Sequence, residues 1–361
     1  MEVVGRVALV AFGVALVVVV LDAAVRTFVL PRAAPVRLTR AIARVNTRVF
    51  RLIGRPAHSY ERRDKVMALY GPVTLLTIPA VSLVLVLIAF TSIFVGVDDV
   101  SWSTAYRYSG SALFTLGFST ANDERVITVV YVEAAIGVGV LALLISYLPT
   151  IYAAFSKREV AVTRLSVRAG TPPTPTELLV RAHRSGFLNR LDDLFEEWEL
   201  WFVELEETHT SLVILNFFRS PNPDRSWVTA AGAILDTAAV RLAVLDAAWT
   251  PSAAVCLRAG FMSLRSVADY FSVPYDRNPA PDDPISIDRS EFDELYAGLA
   301  AAGLPVVADR DRAWRDFAGW RVNYDAVLLA LANLTMAPYA PWVSDRSPVI
   351  AAGPLGSSGR R

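Results

Sequence analysis

SGSALFTLGFSTANDE, residues 109–124, separates two long apolar runs, and its reading decides the fold. Before it lies VTLLTIPAVSLVLVLIAFTSIFVG (73–96), which holds no charged residue. After it lies VITVVYVEAAIGVGVLALLISYLPTIYAAF (126–155), interrupted only by Glu133. Each exceeds the roughly 20 apolar residues that cross a bilayer. A third run fills residues 7–21 and extends as a helix towards Leu30. A polar, glycine-bearing loop between two such runs is costly unless its backbone is shielded by protein or lines water.

The composition agrees. The chain of 361 residues is 54% hydrophobic with zero formal net charge. Its mean hydropathy of +0.41 is too high for an ordinary soluble domain of this size. No basic field argues for nucleic acid. The single cysteine, Cys256, excludes an intrachain disulfide and a cysteine-built zinc site.

Direction comes from the arginines. Between Pro31 and Val66 stand Arg32, Arg37, Arg40, Arg44, Arg48, Arg51, Arg55, Arg62, Arg63 and Lys65, against only Glu61 and Asp64. Such loops stay in the cytoplasm, which argues against the first run being a cleaved secretion signal. The amino terminus is therefore expected outside, the 109–124 loop outside, and everything beyond Lys157 in the cytoplasm. The expected location is a plasma membrane of the bacterial inner-membrane kind. The helical spacing of the arginines from Arg37 to Arg55 would also set them at anionic lipid headgroups across residues 32–65, beside their plain role as a topology signal.

Ser101 or Ser103 is a suitable cap for a short helix over WSTAYRYSGSALF, which would dip back towards the membrane centre. Backbone carbonyls of the residues that follow can replace the water around a cation, provided that some of them leave ordinary dihedrals. Gly117 does so cheaply. Thr115 offers a hydroxyl beneath, and the short helix turns its negative end to the same place.

The order outer span, short helix, Thr115-Leu116-Gly117-Phe118, inner span resembles the tetrameric potassium channel pore-module family, of the bacterial two-helix pore type. To that type this chain adds an amino-terminal span and a helical cytoplasmic domain. The family signature is Thr-Val-Gly-Tyr-Gly. The resemblance implies that the carbonyls of Thr115, Leu116, Gly117, Phe118 and Ser119 form a selectivity filter, that potassium is the permeant ion, and that four identical chains surround it. Two positions depart from the signature: Ser119 replaces its second glycine and Thr120 the aspartate that usually follows. Gly137 and Gly139 fall where the family's inner helix carries a gating hinge, and Pro149 would bend the helix lower down. Small residues in a membrane helix equally serve close packing.

Asp98, Asp99, Asp123 and Glu124 would ring the outer mouth, offset in part by Arg107 and Arg125, or simply be solvated loop charges. Glu133, at membrane depth, is expected to brace the filter from behind through Arg107 or Tyr108. Asp22 and Arg26, four apart, should neutralise each other. The first span has no ladder of arginines, so nothing points to a voltage sensor.

Beyond the pore, helical spacing recurs from Leu188, Ser226, Ser252 and Asp311, with proline-rich breaks at 171–177, 220–226 and 273–284. No Gly-x-Gly-x-x-Gly and no Walker loop is present. His58, His183 and His209 lack ligand-like partners, and no catalytic arrangement is legible, so no enzyme and no cofactor are expected. The fold class is an all-α membrane protein with transmembrane helices, a re-entrant pore helix and filter loop, and an α-helical cytoplasmic domain. Its parts are an amino-terminal span (1–30), a basic linker or amphipathic helix (31–69), a pore module (70–156), a helical domain (157–340) and a disordered tail (341–361). A non-conducting or weakly selective receptor or scaffold that binds an unknown cytoplasmic partner is the alternative.

Overall fold

The computed structural model describes residues 3–28, 37–54, 60–119 and 122–346. Among them the chain is all-helical, with no strand beyond one isolated bridge between Leu245 and Val306. Three helices are long and apolar enough to cross a membrane, within Val3–Thr27, Asp64–Asp98 and Glu124–Ala169. The described residues fall into two compact units, those within 1–154 and 211–218, and those within 155–210 and 219–346.

In the first unit, α1 (Val3–Phe28) packs along α4 (Tyr70–Asp98). Arg6, at the start of α1, donates to the carbonyls of Gly96 and Val97 at the end of α4, both at 2.9 Å, so the two helices run antiparallel. An arginine there satisfies carbonyls that the helix end leaves open. The expected Asp22–Arg26 pair forms at 2.7 Å. At the opposite end, α2 (Arg37–Gly54) lies against the start of α4, where Asn46 bonds Thr74 and Thr47 bonds Tyr70. The short α3 (Tyr60–Ala68) leads into α4. The arginine-bearing α2 and α3 thus lie at one end of the α1–α4 pair. The other end of the pair leads to α5 (Trp102–Leu113).

The third apolar run does not end near residue 155. It continues as α6, Glu124–Ala169, straight through Pro149. The stretch from Lys157 to Arg168 is charged, and a linker would look no different by composition. Here apolar Val162 and Leu165 recur on one buried face, which holds the helix together without lipid.

The second unit packs α7 (Pro175–Arg184), α8 (Leu191–Ser211), α9 (Trp227–Ala243), α10 (Pro251–Tyr270), α11 (Arg289–Ala301), α12 (Arg310–Arg321) and α13 (Asp325–Thr335). Alanine-rich α9 is buried on nearly every face because α7, α10, α12 and α13 surround it. His209 belongs to this core, as expected of a histidine without ligand-like partners. Its burial, reinforced by the Arg158 cation 3.1 Å away, holds its pKa well below the ordinary value. Burial likewise pushes the Cys256 thiol up.

Three expectations need correction. The helix expected from Asp311 to Thr335 is two helices, α12 and α13. Asn323 turns its amide onto the carbonyls of Gly319 and Trp320 and so ends α12. The 171–177 break contains a helix start: Thr174 accepts from the Glu177 N–H at 3.2 Å, with Pro175 in the first turn. The tail begins later than 341, because Trp342 and Val343 are buried and Arg346 pairs with Glu291. Residues 347–361 lie outside the described residues.

Candidate functional site

Ser101 caps α5 by accepting from the Thr104 N–H at 3.2 Å, a contact worth about 1 kcal/mol to a helix. The helix buries Ala105, Ser109, Ala112 and Leu113, a spacing of three and four, against α4 and α6. Ser109 Oγ lies 3.2 Å from the carbonyl of Leu87 and 2.5 Å from Oε1 of Glu133. One hydroxyl therefore joins α5 to the middle of α4 and to the first turns of α6. Arg107 and Tyr108 are not the partners of Glu133. Arg107 falls on the exposed side of α5, and Tyr108 stacks edge-on against Phe94. Glu133 is 0% exposed, and its second carboxyl oxygen has no partner among the described residues.

Beyond Leu113 the chain leaves the helix. Thr115 N–H donates to the Ala112 carbonyl at 3.0 Å and Leu116 N–H to the Ser111 carbonyl at 2.8 Å. These bonds hold a backbone with positive φ at two alternate residues, Thr115 (52°) and Gly117 (69°). Glycine accepts that region freely. For a β-branched threonine it is a strained outlier that the neighbouring α5 carbonyls must impose. Successive carbonyls of an extended chain point to opposite sides. Interleaved residues of reversed handedness can bring neighbours to one side. Ser119 stays outside the positive-φ region, its N–H bonded to Ser111 Oγ at 3.1 Å. Thr120 lies outside the described residues. The side chains of Leu116 and Phe118 are exposed on the single chain, at 61% and 59%.

Of the outer acids, Asp123 is engaged rather than free: Arg125 bonds both carboxyl oxygens, at 3.2 and 2.7 Å. That hydrogen bonding holds the Asp123 carboxyl below the usual carboxylate range. Glu124 is exposed in the first turn of α6, where its charge suits the positive helix end. Asp99 lies 3.7 Å from Arg6. No group of His, Cys, Asp and Glu among the described residues could hold a metal ion.

The two glycines of α6 differ. A Cβ on Gly137 would come within 2.3 Å of the Leu113 carbonyl, whereas one on Gly139 would meet nothing within 4 Å. Gly137 is thus the point where α6 passes the end of α5, about 13 residues or ~20 Å into the helix at 1.5 Å per residue. Gly137→Ala must displace the last turn of α5, at a cost of about 1–3 kcal/mol. The expected result is a lower thermal midpoint of the purified protein, while Gly139→Ala remains close to wild type in the same melt.

Ser109 and Ser111 were not singled out by their sequence. The only available signal was two hydroxyls, two apart, on the helix that precedes the glycine loop. Comparison of the chain with protein-family models, with curated proteins and with solved structures finds no match.

Proposed function

We propose that this chain is one subunit of a homotetrameric, potassium-conducting cation channel, with ions coordinated by the backbone carbonyls of Thr115, Leu116, Gly117 and Phe118. The observation that carries the reading is the alternation of positive φ at Thr115 and Gly117, held by α5 carbonyls between two helices able to span a membrane. In this reading α5 is re-entrant. Its carboxyl end reaches Gly137, and Ser109 reaches Leu87, each well inside its long helix. The buried Ser109–Glu133 bond then fixes the pore helix to the inner helix from behind.

One loop cannot enclose a pore, so four copies are required. The exposed Leu116 and Phe118 and the bare apolar faces of α6, with Tyr131, Val138 and Ile145 exposed, leave surface for further copies and for lipid. The basic end of the α1–α4 pair faces the cytoplasm. There α2 would lie at anionic headgroups, with Val45, Val49, Leu52 and Ile53 exposed on one side of it and Arg40, Arg44 and Arg48 on another. Gly137 serves packing, which leaves Gly139 and Pro149 as hinge candidates. The helical unit sets gating or assembly.

Ser119 favours a second, weaker version: without positive φ there, the outermost carbonyl ring is not continued and selectivity is reduced. Purified protein in liposomes, tested for potassium flux against sodium, decides. Ser119→Gly should raise the preference for potassium. A membrane that stays tight for both ions would leave only the non-conducting receptor or scaffold.

A further inference from the structure

We infer that the helical unit holds a binding site for a soluble acyl carboxylate, in the cleft between the last turn of α6, α7 and the start of α8. The cleft measures about 460 Å³, within the range that accommodates a small organic ligand. Its floor is Leu178, Leu191 and Leu194, all buried. Its walls include Val167 and Phe187, which stand 72% and 49% exposed with nothing over them. Four arginines rim it: Arg168, Arg181, Arg184 and Arg190.

The charge balance at the rim selects an anion. Arg181 pairs with Glu177, and Arg190 pairs with Asp193 at 3.0 Å while stacking on the Phe187 ring. Arg168 and Arg184 have no carboxylate partner among the described residues, and no acidic residue lines the cleft. Guanidinium groups grip carboxylates by paired, charge-assisted hydrogen bonds. The body of the ligand must be apolar. The one lining hydroxyl, Ser185 Oγ, already donates to the Arg181 carbonyl at 2.7 Å. A nucleobase or sugar would find no polar partner on the floor, whereas an aliphatic chain would cover Val167 and Phe187 and leave its head among the arginines.

The site stands apart from the pore reading, because its test reads binding and not flux. The full chain, in nanodiscs of zwitterionic phosphatidylcholine, is irradiated with a decanoate analogue that carries a terminal diazirine, and the labelled peptides are mapped. Labelling is expected in the 167–194 segment, displaced by decanoate and not by decanol. The double variant Arg168→Gln, Arg184→Gln should weaken half-saturation by about tenfold or more. Arg312→Gln, on the exposed side of α12, should not. Labels confined to the membrane helices, equal displacement by decanol, or undiminished labelling of the double variant would each overturn the proposal. The decanol comparison uses the wild-type chain, so it decides even where the double variant fails to fold.

Discussion

Gly117→Ala is expected to abolish potassium flux while leaving the assembled protein intact. The argument separates the single chain from the pore. In one chain a Cβ at this position meets no atom within 4 Å, so nothing in the fold of the subunit resists it sterically. What resists is the backbone: φ of +69° costs an L-residue about 1 kcal/mol or more. In the proposed tetramer, four subunits would each bear that cost in the same ring. The sum, about 4 kcal/mol, lowers the population of the conducting backbone by roughly three orders of magnitude. Size-exclusion profile and tryptophan fluorescence should match wild type, and liposome flux should fall to the protein-free background. Wild-type flux in this variant would mean that the Gly117 carbonyl is not part of any conduction path.

The membrane helices were legible because an apolar run long enough to cross lipid has few other uses, and α5 was legible from a serine at its start. The handedness of Gly117 could be read from residue type. That of Thr115 could not, since threonine resists it. The reason lies in two bonds to α5 carbonyls that no composition reveals. Glu133 stands out in the sequence as the one charge in its apolar run, yet its partner depends on which face of α5 turns inward. The expected partners were Arg107 and Tyr108; the bond goes to Ser109, next to them in the chain. The capping box of α11, where Asp288 and Glu291 bond each other's backbone, is encoded in Asp-Arg-Ser-Glu just beyond a proline-rich break. The 3₁₀ turn over Val213–Phe217 joins the membrane unit through Phe218, packed on Gly71, although 56 residues of the other unit separate it from Ala154 in sequence (155–210). Helix propensity carries no information about such a return of the chain.

Arg321→Met should destabilise the helical unit by about 3–5 kcal/mol, the range for breaking a buried ion pair from one side. Arg321 is 0% exposed, an unusual position for a guanidinium. Its Nε donates to Asp325 at 2.7 Å, its Nη1 to Asp236, and its Nη2 to the Trp342 carbonyl at 2.6 Å. One side chain at the end of α12 thereby ties α9, α13 and the carboxyl-terminal segment together. Burial alone would lower its pKa, but the charges of Asp236 and Asp325 outweigh that and hold it above the ordinary value, so the cation persists. The partners are committed as well: Asp236 also accepts from Tyr324 at 2.8 Å, and Asp325 accepts from the N–H and hydroxyl of Ser286 at 2.9 and 2.7 Å. Methionine nearly matches the volume but leaves two carboxyls buried without their cation, and Trp342 loses its anchor. Lysine keeps the charge, yet one ammonium cannot reproduce the fork that spans three acceptors, so Arg321→Lys should recover only part of the loss. Urea unfolding followed by tryptophan fluorescence reads both variants. A midpoint for Arg321→Met equal to wild type would mean that hydrophobic packing around α9 alone holds the unit. The triple variant Arg321→Met, Asp236→Leu, Asp325→Leu discriminates further. It removes the orphaned charges together with their partner, and it should be more stable than the single variant if those charges are the cause.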